Sequence, residues 1–343
     1  MGSAHTVAVF GAYGHTGRFV VAQLRDRGFL PVLSGRDGDK LRALATSNPG
    51  LDARPASVDD PASLDRALAG AAAVINCAGP FATTAAPVIE AALRAGIPYV
   101  DVAAEIEANV DTFTHFTDRA RAAGAVIVPA MAFYGGLGDL LATTAMGDWA
   151  AADEAHIAYG LSSWHPTAGT RAASKVTRRR RNGRRVRYAN GRLEYRRDDP
   201  PTLEWPFPDP MGTRTVIGEF TMADVVTIPS HLSIPEVRTY MTIEAARDVS
   251  APDTPTPAAI DERGRSAQTF LVDVVVRSGG TERRAVATGQ DIYAVSAPLV
   301  VEAVCRILTG QTRTVGVASA GEIFDAPDFL RALSTHISLE QRQ

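Results

Sequence analysis

Three glycines near the start of the chain, Gly11, Gly14 and Gly17, have the spacing and the flanks needed to hold a phosphate. They follow the apolar run Thr6-Val-Ala-Val-Phe and precede Arg18-Phe-Val-Val, so they read as a buried strand, a glycine turn and the first turns of a helix. In that order, helix N–H groups face the pyrophosphate of a dinucleotide. Gly11 permits the tight turn, Gly14 lets the backbone approach a phosphate, and Gly17 lets helix and strand pack closely. Tyr13, His15 and Thr16 complete the loop and are expected around the same ligand. The spacing is one residue longer than the commonest dinucleotide fingerprint, and a glycine turn without ligand is the competing reading.

One βα unit later, Phe29-Leu-Pro-Val-Leu-Ser-Gly-Arg reads as a second strand ending at Ser34, Gly35 and Arg36. A site for an unphosphorylated ribose places a carboxylate here, whereas an Arg suits a 2′-phosphate. No acid occurs before Asp37, and the planar guanidinium of Arg36 can donate two parallel charged hydrogen bonds. Lys40 either assists or is simply exposed. The expected cofactor is therefore NADP(H). Further on, Asn76, Cys77, Ala78, Gly79 and Pro80 end a fourth strand, and their small side chains let the backbone approach the nicotinamide ribose. Asp101 and Glu105 either hold the nicotinamide end or cap the following helix. A nucleophilic Cys77 would need a base or a positive neighbour, so core packing is its simpler role.

Hydride transfer to carbon usually needs a proton donor for the partner atom. The candidates are Tyr134, Asp139 and His165, with His231 as a further acid near neutrality. Asp139 is better placed to cap the helix at 140–146. An imine that arrives protonated needs no protein acid at all.

These residues require elements to carry them. Short apolar runs alternate with helical patterns for about 130 residues, the signature of a parallel sheet. The expected fold is α/β: a Rossmann doubly wound parallel sheet of six or more strands, with an inserted, mainly antiparallel α+β second domain. The boundaries are 1–150 and 294–343 for the dinucleotide-binding domain and 151–293 for a substrate or dimerisation domain. In the second domain, strands are expected at 155–161, 185–189, 192–195, 225–228, 237–243 and 270–277. Asn190-Gly191 and Ser278-Gly279-Gly280 mark hairpins.

Composition narrows the function. The chain has 343 residues, 45% of them hydrophobic and 21% charged, with a net charge of −3. Two cysteines, Cys77 and Cys305, make no disulfide framework and fit a reducing cytoplasm, where the protein is expected. No membrane span and no metal-ligand cluster is expected. The basic run Arg178-Arg-Arg-Arg-Asn-Gly-Arg-Arg-Val-Arg has three readings: a nucleic-acid contact, an electropositive mouth for an acidic or carrier-bound substrate, or a solvated helix end. The negative net charge and the lack of any nucleic-acid motif disfavour the first. No Tyr-x-x-x-Lys occurs, which removes the short-chain dehydrogenase mechanism. No Cys lies between Cys77 and Cys305, which removes a thiol-dependent aldehyde oxidation.

Together these residues resemble the saccharopine dehydrogenase-like family, in particular its short, stand-alone members. The similarity lies in residues 11–17, Ser34-Gly-Arg, Val74-Ile-Asn-Cys-Ala-Gly-Pro-Phe, residues 91–105, Gly289-Gln-Asp-Ile-Tyr-Ala-Val-Ser-Ala and residues 316–325. Residues 153–287 resemble the family only loosely. The resemblance implies an NADP-dependent oxidoreductase with its substrate between the domains. Family members include imine-forming amino-acid dehydrogenases and enoyl reductases of lipid or polyketide precursors. Reduction of a C=N bond in a small metabolite is the expected reaction, and reduction of a conjugated C=C bond is the alternative. A non-catalytic NADP(H) sensor is the reading from another class, and its pocket would be filled by Phe133, Tyr134 or Trp164. The β-rich second domain leaves a homodimer open.

Overall fold

The computed structural model describes residues 5–342. The chain opens with β1 (Thr6–Phe10), α1 (His15–Asp26), β2 (Leu30–Gly35), α2 (Gly38–Thr46), β3 (Asp52–Pro55), α3 (Pro61–Leu68), β4 (Ala73–Asn76), α4 (Phe81–Ala95), β5 (Tyr99–Asp101), α5 (Ile106–Ala122), β6 (Val126–Val128) and α6 (Gly138–Met146). The second region holds β7 (Glu154–Leu161), α7 (Ala168–Arg181), β8 (Arg185–Ala189), β9 (Arg192–Arg196), β10 (Thr202–Pro206), β11 (Thr213–Gly218), α8 (Asp224–Thr227), β12 (Glu236–Thr242), α9 (Ile243–Ser250), β13 (Thr269–Ser278) and β14 (Thr281–Gln290). The chain closes with α10 (Ser296–Leu308), β15 (Gly316–Val317), α11 (Ala320–Ile323), α12 (Ala326–Ala332) and β16 (Ile337–Arg342).

The first sheet is parallel throughout, in the order β15-β6-β5-β4-β1-β2-β3. β1 is buried on both faces, as a central parallel strand must be: Val7 and Val9 join one core cluster, Ala8 and Phe10 the other. Helix starts are set by local chemistry. Asp37 accepts from Lys40 N at the head of α2, and Asp60 accepts from Ser63 N with Pro61 in the first turn of α3. The strand order reverses between β1 and β4, which opens the crevice where such sheets bind dinucleotides.

The second sheet has nine strands among the described residues: seven on the path β10-β11-β12-β7-β13-β14-β16, with β8 branching from β12 and β9 paired to β8. It is antiparallel except for the β12–β7 pair. One hydrophobic core runs from Val9 through Leu140 and Val300 to Ile157 and Val274, so the two sheets share an interior across α6 and α10. The far face of the second sheet is covered by Trp205 and Phe207.

Two expectations change here. Residues 225–228 were expected as a strand because Val225, Val226 and Thr227 are β-branched; the structure turns them into α8, with Ile228 N donating to Asp224 O. Thr227 Oγ1 donates to Gly135 O, so a tertiary contact overrides propensity. At the C-terminal end, α10 packs on α1 and β15 extends the parallel sheet, but β16 leaves the expected division and pairs with β14. Residues 337–342 therefore belong to the second sheet and not to the nucleotide domain.

Candidate functional site

The glycine loop is built as its spacing requires. Gly11 (φ +87°) turns the chain, and a Cβ there would lie 2.8 Å from Ala78 N. A Cβ on Gly17 would lie 2.2 Å from Gly11 O, so no larger residue fits between α1 and the loop. Gly14 is the N-cap of α1, and no side chain caps that helix, leaving its first-turn N–H groups for a ligand. His15, at the helix start, has a buried Nε2 with no partner among the described residues. Burial holds its imidazole below its ordinary range, and its ring meets the edges of Phe19 and Tyr293. An orphaned donor or acceptor beside open helix amides fits a bound pyrophosphate.

The end of β2, where the adenosine of the cofactor is expected, is tied to the glycine loop. Ser34 O receives Gly11 N and Ala12 N at 2.8 and 3.1 Å, tying β2 to the loop. Tyr13 packs over Gly35, where a Cβ would stand 2.8 Å from the ring, and Lys40 Nζ lies 5.7 Å from the centre of that ring. Asp37 is occupied by Lys40, through its N–H and its ammonium at 3.1 Å each, and these contacts hold its carboxyl below the usual range. Asp37 is thus a helix cap and not a ribose ligand. Arg36 is exposed and makes no ion pair among the described residues, so its guanidinium is available to a 2′-phosphate.

Three residues expected to touch the cofactor have their side chains buried in the protein interior. Ser34 is fully buried, and only its carbonyl serves the loop. Asn76 is fully buried: its Oδ1 accepts from Ala78 N at 3.0 Å and its Nδ2 donates to Tyr99 OH at 3.1 Å. Asp101 accepts from Ala103 N, Ala130 N and Tyr99 OH at 3.0, 2.8 and 2.8 Å. Burial pushes its carboxyl up to about 6 despite those donors. Asn76 therefore holds the loop of Cys77, Ala78, Gly79 and Pro80 at Ala78 N, and Asp101 supports it one step removed, through Tyr99, while Cys77 and Gly79 line the cavity. Burial raises the Cys77 thiol, which agrees with packing and not with nucleophilic chemistry. Glu105 accepts from Phe81 N and Ala82 N at 2.8 and 3.2 Å, holding the head of α4.

Between the two sheets lies a cavity of about 710 Å³. Cys77 and Gly79 meet it from the nucleotide side; Trp164, Phe220 and Tyr293 meet it from the other. Tyr134 is in its wall, buried, with a hydroxyl that has no partner among the described residues. Its ring stacks on Trp164 with centroids 5.3 Å apart and meets Phe133 and Tyr159 edge-on at 4.8 Å. Burial, and then the neighbouring Tyr293 and Asp224, hold the phenol well above its ordinary range. The phenol is thus a protonated donor that no group among the described residues uses.

The other two proton-donor candidates are elsewhere. Asp139 neither faces the cavity nor caps its helix; Oδ1 meets His231 Nε2 at 2.7 Å and Oδ2 accepts from Gly321 N at 2.7 Å. It locks α6 to α11. Burial works against the His231 imidazolium, but the Asp139 carboxylate outweighs it and raises the pKa. His165 is half-buried and its side chain is off the cavity wall, while its carbonyl accepts from Tyr293 OH at 3.3 Å.

Sequence reasoning missed the residues that shape this wall. Tyr293 OH gathers Trp164 Nε1 at 3.0 Å and Thr170 Oγ1 at 2.9 Å. Asp224, fully buried, accepts from Tyr159 OH at 2.7 Å and Gly135 N at 3.3 Å, both on Oδ1. Gly135 (φ +95°) follows Tyr134 in the tight turn Phe133–Leu137, so Asp224 and Thr227 grip both sides of the backbone beside Tyr134. Burial pushes the Asp224 carboxyl up to about 6. The basic run is divided: Arg180 and Arg181, at the end of α7, pair with Asp111 and Glu107 of α5. Helix α7 thereby bridges the second region to the nucleotide domain.

Residues 7–128 match the family model described as the saccharopine dehydrogenase NADP binding domain. The N-terminal region is a saccharopine dehydrogenase-type NADP-binding domain. Its cofactor is NADP(H), in agreement with Arg36 at the end of β2. A probable mitochondrial saccharopine dehydrogenase-like oxidoreductase of Arabidopsis thaliana is 30% identical over 144 residues, covering 38% of this chain and 32% of that protein. A saccharopine dehydrogenase-like oxidoreductase of Homo sapiens is 31% identical over 117 residues, covering 29% and 27%. The matched stretch is thus about a third of the length of these curated relatives. The solved structure of saccharopine dehydrogenase (L-Glu forming) from Saccharomyces cerevisiae superposes with a TM-score of 0.68 at 12% identity, covering 99% of this chain and 100% of that one. That similarity extends the saccharopine dehydrogenase fold through the second sheet. No helix among the described residues is long and apolar enough to cross a membrane.

Proposed function

We propose that this protein is an NADPH-dependent reductase that acts on a C=N bond of a small metabolite held in the cavity between the sheets. The observation that carries this reading is the Tyr134 hydroxyl, buried and unpartnered in the cavity wall that also holds Cys77 and Gly79. Gly11, Gly14 and the head of α1 would hold the pyrophosphate and Arg36 the 2′-phosphate, and the bound cofactor supplies a hydride. Tyr134 donates its hydroxyl proton to the substrate nitrogen. Phe133, Trp164 and Phe220 exclude water from the reacting atoms. The same residues line the cavity and do not fill it, which supports an enzyme over a nucleotide sensor.

The apolar walls favour one second reading, the reduction of a conjugated C=C bond. There the Tyr134 hydroxyl hydrogen-bonds the carbonyl oxygen as charge develops on it.

The test is a fluorescence titration with NADPH and NADH, repeated on Arg36→Ala. NADPH should bind tighter, and the substitution should weaken it by about tenfold or more through loss of a charged hydrogen-bonded pair while leaving NADH unchanged. Failure of both nucleotides to bind would end the reductase reading. With binding in hand, 4-deuterated NADPH and panels of cyclic imines and enoyl thioesters separate the two reactions by the mass of the product.

A further inference from the structure

Helix α7 forms part of the cavity wall, yet none of its residues is buried. Its cations are not equivalent. Arg171 donates to the carbonyls of Ala251 and Thr254 at 3.3 and 2.6 Å. Arg180 pairs with Asp111 at 2.8 Å, and Arg181 forms a two-pronged pair with Glu107. Arg179 is not on the cavity. Lys175 and Arg178 remain: both line the cavity, and neither has an acidic partner among the described residues. They stand three residues apart, one above the other on a single helix face.

The one carboxylate among the described residues that line the cavity is already engaged. Glu105 lines the same cavity, but its two oxygens accept from Phe81 N and Ala82 N. Another part of the wall is aromatic, with Phe133, Tyr134, Trp164 and Phe220. Two unanswered cations at the rim of an aromatic chamber describe the ligand that completes them.

We propose that the substrate is an amphipathic anion: a planar or hydrophobic body seated among Tyr134, Trp164 and Phe220, with a carboxylate or phosphate held by Lys175 and Arg178. The inference rests on the reading of this cavity as the substrate site, and it assigns a specificity role to two residues of the basic run. An ammonium and a guanidinium side by side suit an oxyanion, and partial removal from water strengthens the attraction. The paired arginines hold α7 in place while the unpaired cations face the guest.

The test is calorimetry on the protein saturated with NADP+, using 2-naphthoate, 2-naphthyl phosphate and 2-naphthalenemethanol as probes. An anionic probe should bind about tenfold or more tightly than the neutral alcohol, and the preferred anion identifies the group. In Lys175→Ala/Arg178→Ala that advantage should vanish, with the alcohol and NADP+ bound as before. Both side chains are exposed, so the fold is retained, which circular dichroism checks. Equal affinity for acid and alcohol in the parent protein would overturn the proposal. So would a double variant that still prefers the anion, or one that loses NADP+ affinity, because the cations would then serve the cofactor. The probe titration also runs on the free protein, so failure of NADP+ to bind sinks the reductase reading without removing this test.

Discussion

Two buried aspartates, one beneath each wall of the cleft, have the same exposure and different surroundings. Asp101 in the parallel sheet is 1% exposed and Asp224 in the second region is 0% exposed, and burial pushes both carboxyls up to about 6. Asp101 answers three donors with both oxygens. Asp224 answers two donors with one oxygen and leaves Oδ2 without a partner among the described residues. A shared pKa direction therefore hides two roles. Asp101 is a fully answered brace joining β5 to the turn at Ala130, while Asp224 keeps unspent hydrogen-bonding capacity beside Tyr134, which a polar group or water can use.

Asp101→Ala should have the largest effect. It strands Ala103 N, Ala130 N and Tyr99 OH in the core, at a cost of about 3 kcal/mol or more, read as the shift of the urea midpoint. Retained stability would mean that water reaches those donors, and the contrast with Asp224 would collapse.

The pH dependence comes next. Both pKa values are raised from 3.8, so near pH 5 the folded protein holds protons that the unfolded chain has released. The resulting stabilisation is complete below about pH 3.8 and is lost as pH rises through about 6; each group contributes on the order of 2–3 kcal/mol. Asp224→Asn should remove its share of the stability difference between pH 5 and pH 7, as measured by urea unfolding at the two values. An unchanged difference would show that Asp224 titrates as an ordinary surface acid.

At pH 7 itself, Asp224→Asn should stay within about 1 kcal/mol of the parent, because the amide oxygen can still accept from Tyr159 and Gly135. Tyr159→Phe takes one donor from the buried Asp224 carboxylate and leaves the apolar packing in place, so it should cost about 1.5 kcal/mol, still well below Asp101→Ala. A larger loss from Tyr159→Phe than from Asp101→Ala would invert the comparison.

The nucleotide half was legible because its constraints are local. Gly11 and Gly17 are demanded by contacts within the loop and with its neighbouring strand ends, and Arg36 by its place at the end of a strand. Asp224 could not be read in this way. Its partners are 65 and 89 residues away, and its neighbours Val225, Val226 and Thr227 carry the composition of a strand. Asp139 misled for the same reason: a helix-start aspartate looks like a cap until His231, 92 residues later, meets it. The arginine run was half legible. Its charge pointed to an anion, but which residues were already paired depended on Glu107 and Asp111 some 70 residues earlier.

The path of the last residues bears on how the protein is made. Six strands of the parallel sheet precede the second sheet in the chain, yet its seventh strand, β15, and the strand β16 of the other sheet both follow β14. Until then β14 presents a bare row of N–H and C=O groups to any passing strand. Neither sheet is complete until the chain has passed through the body of the second, so during synthesis the nascent chain stays exposed to mispairing for longer than two consecutive domains would.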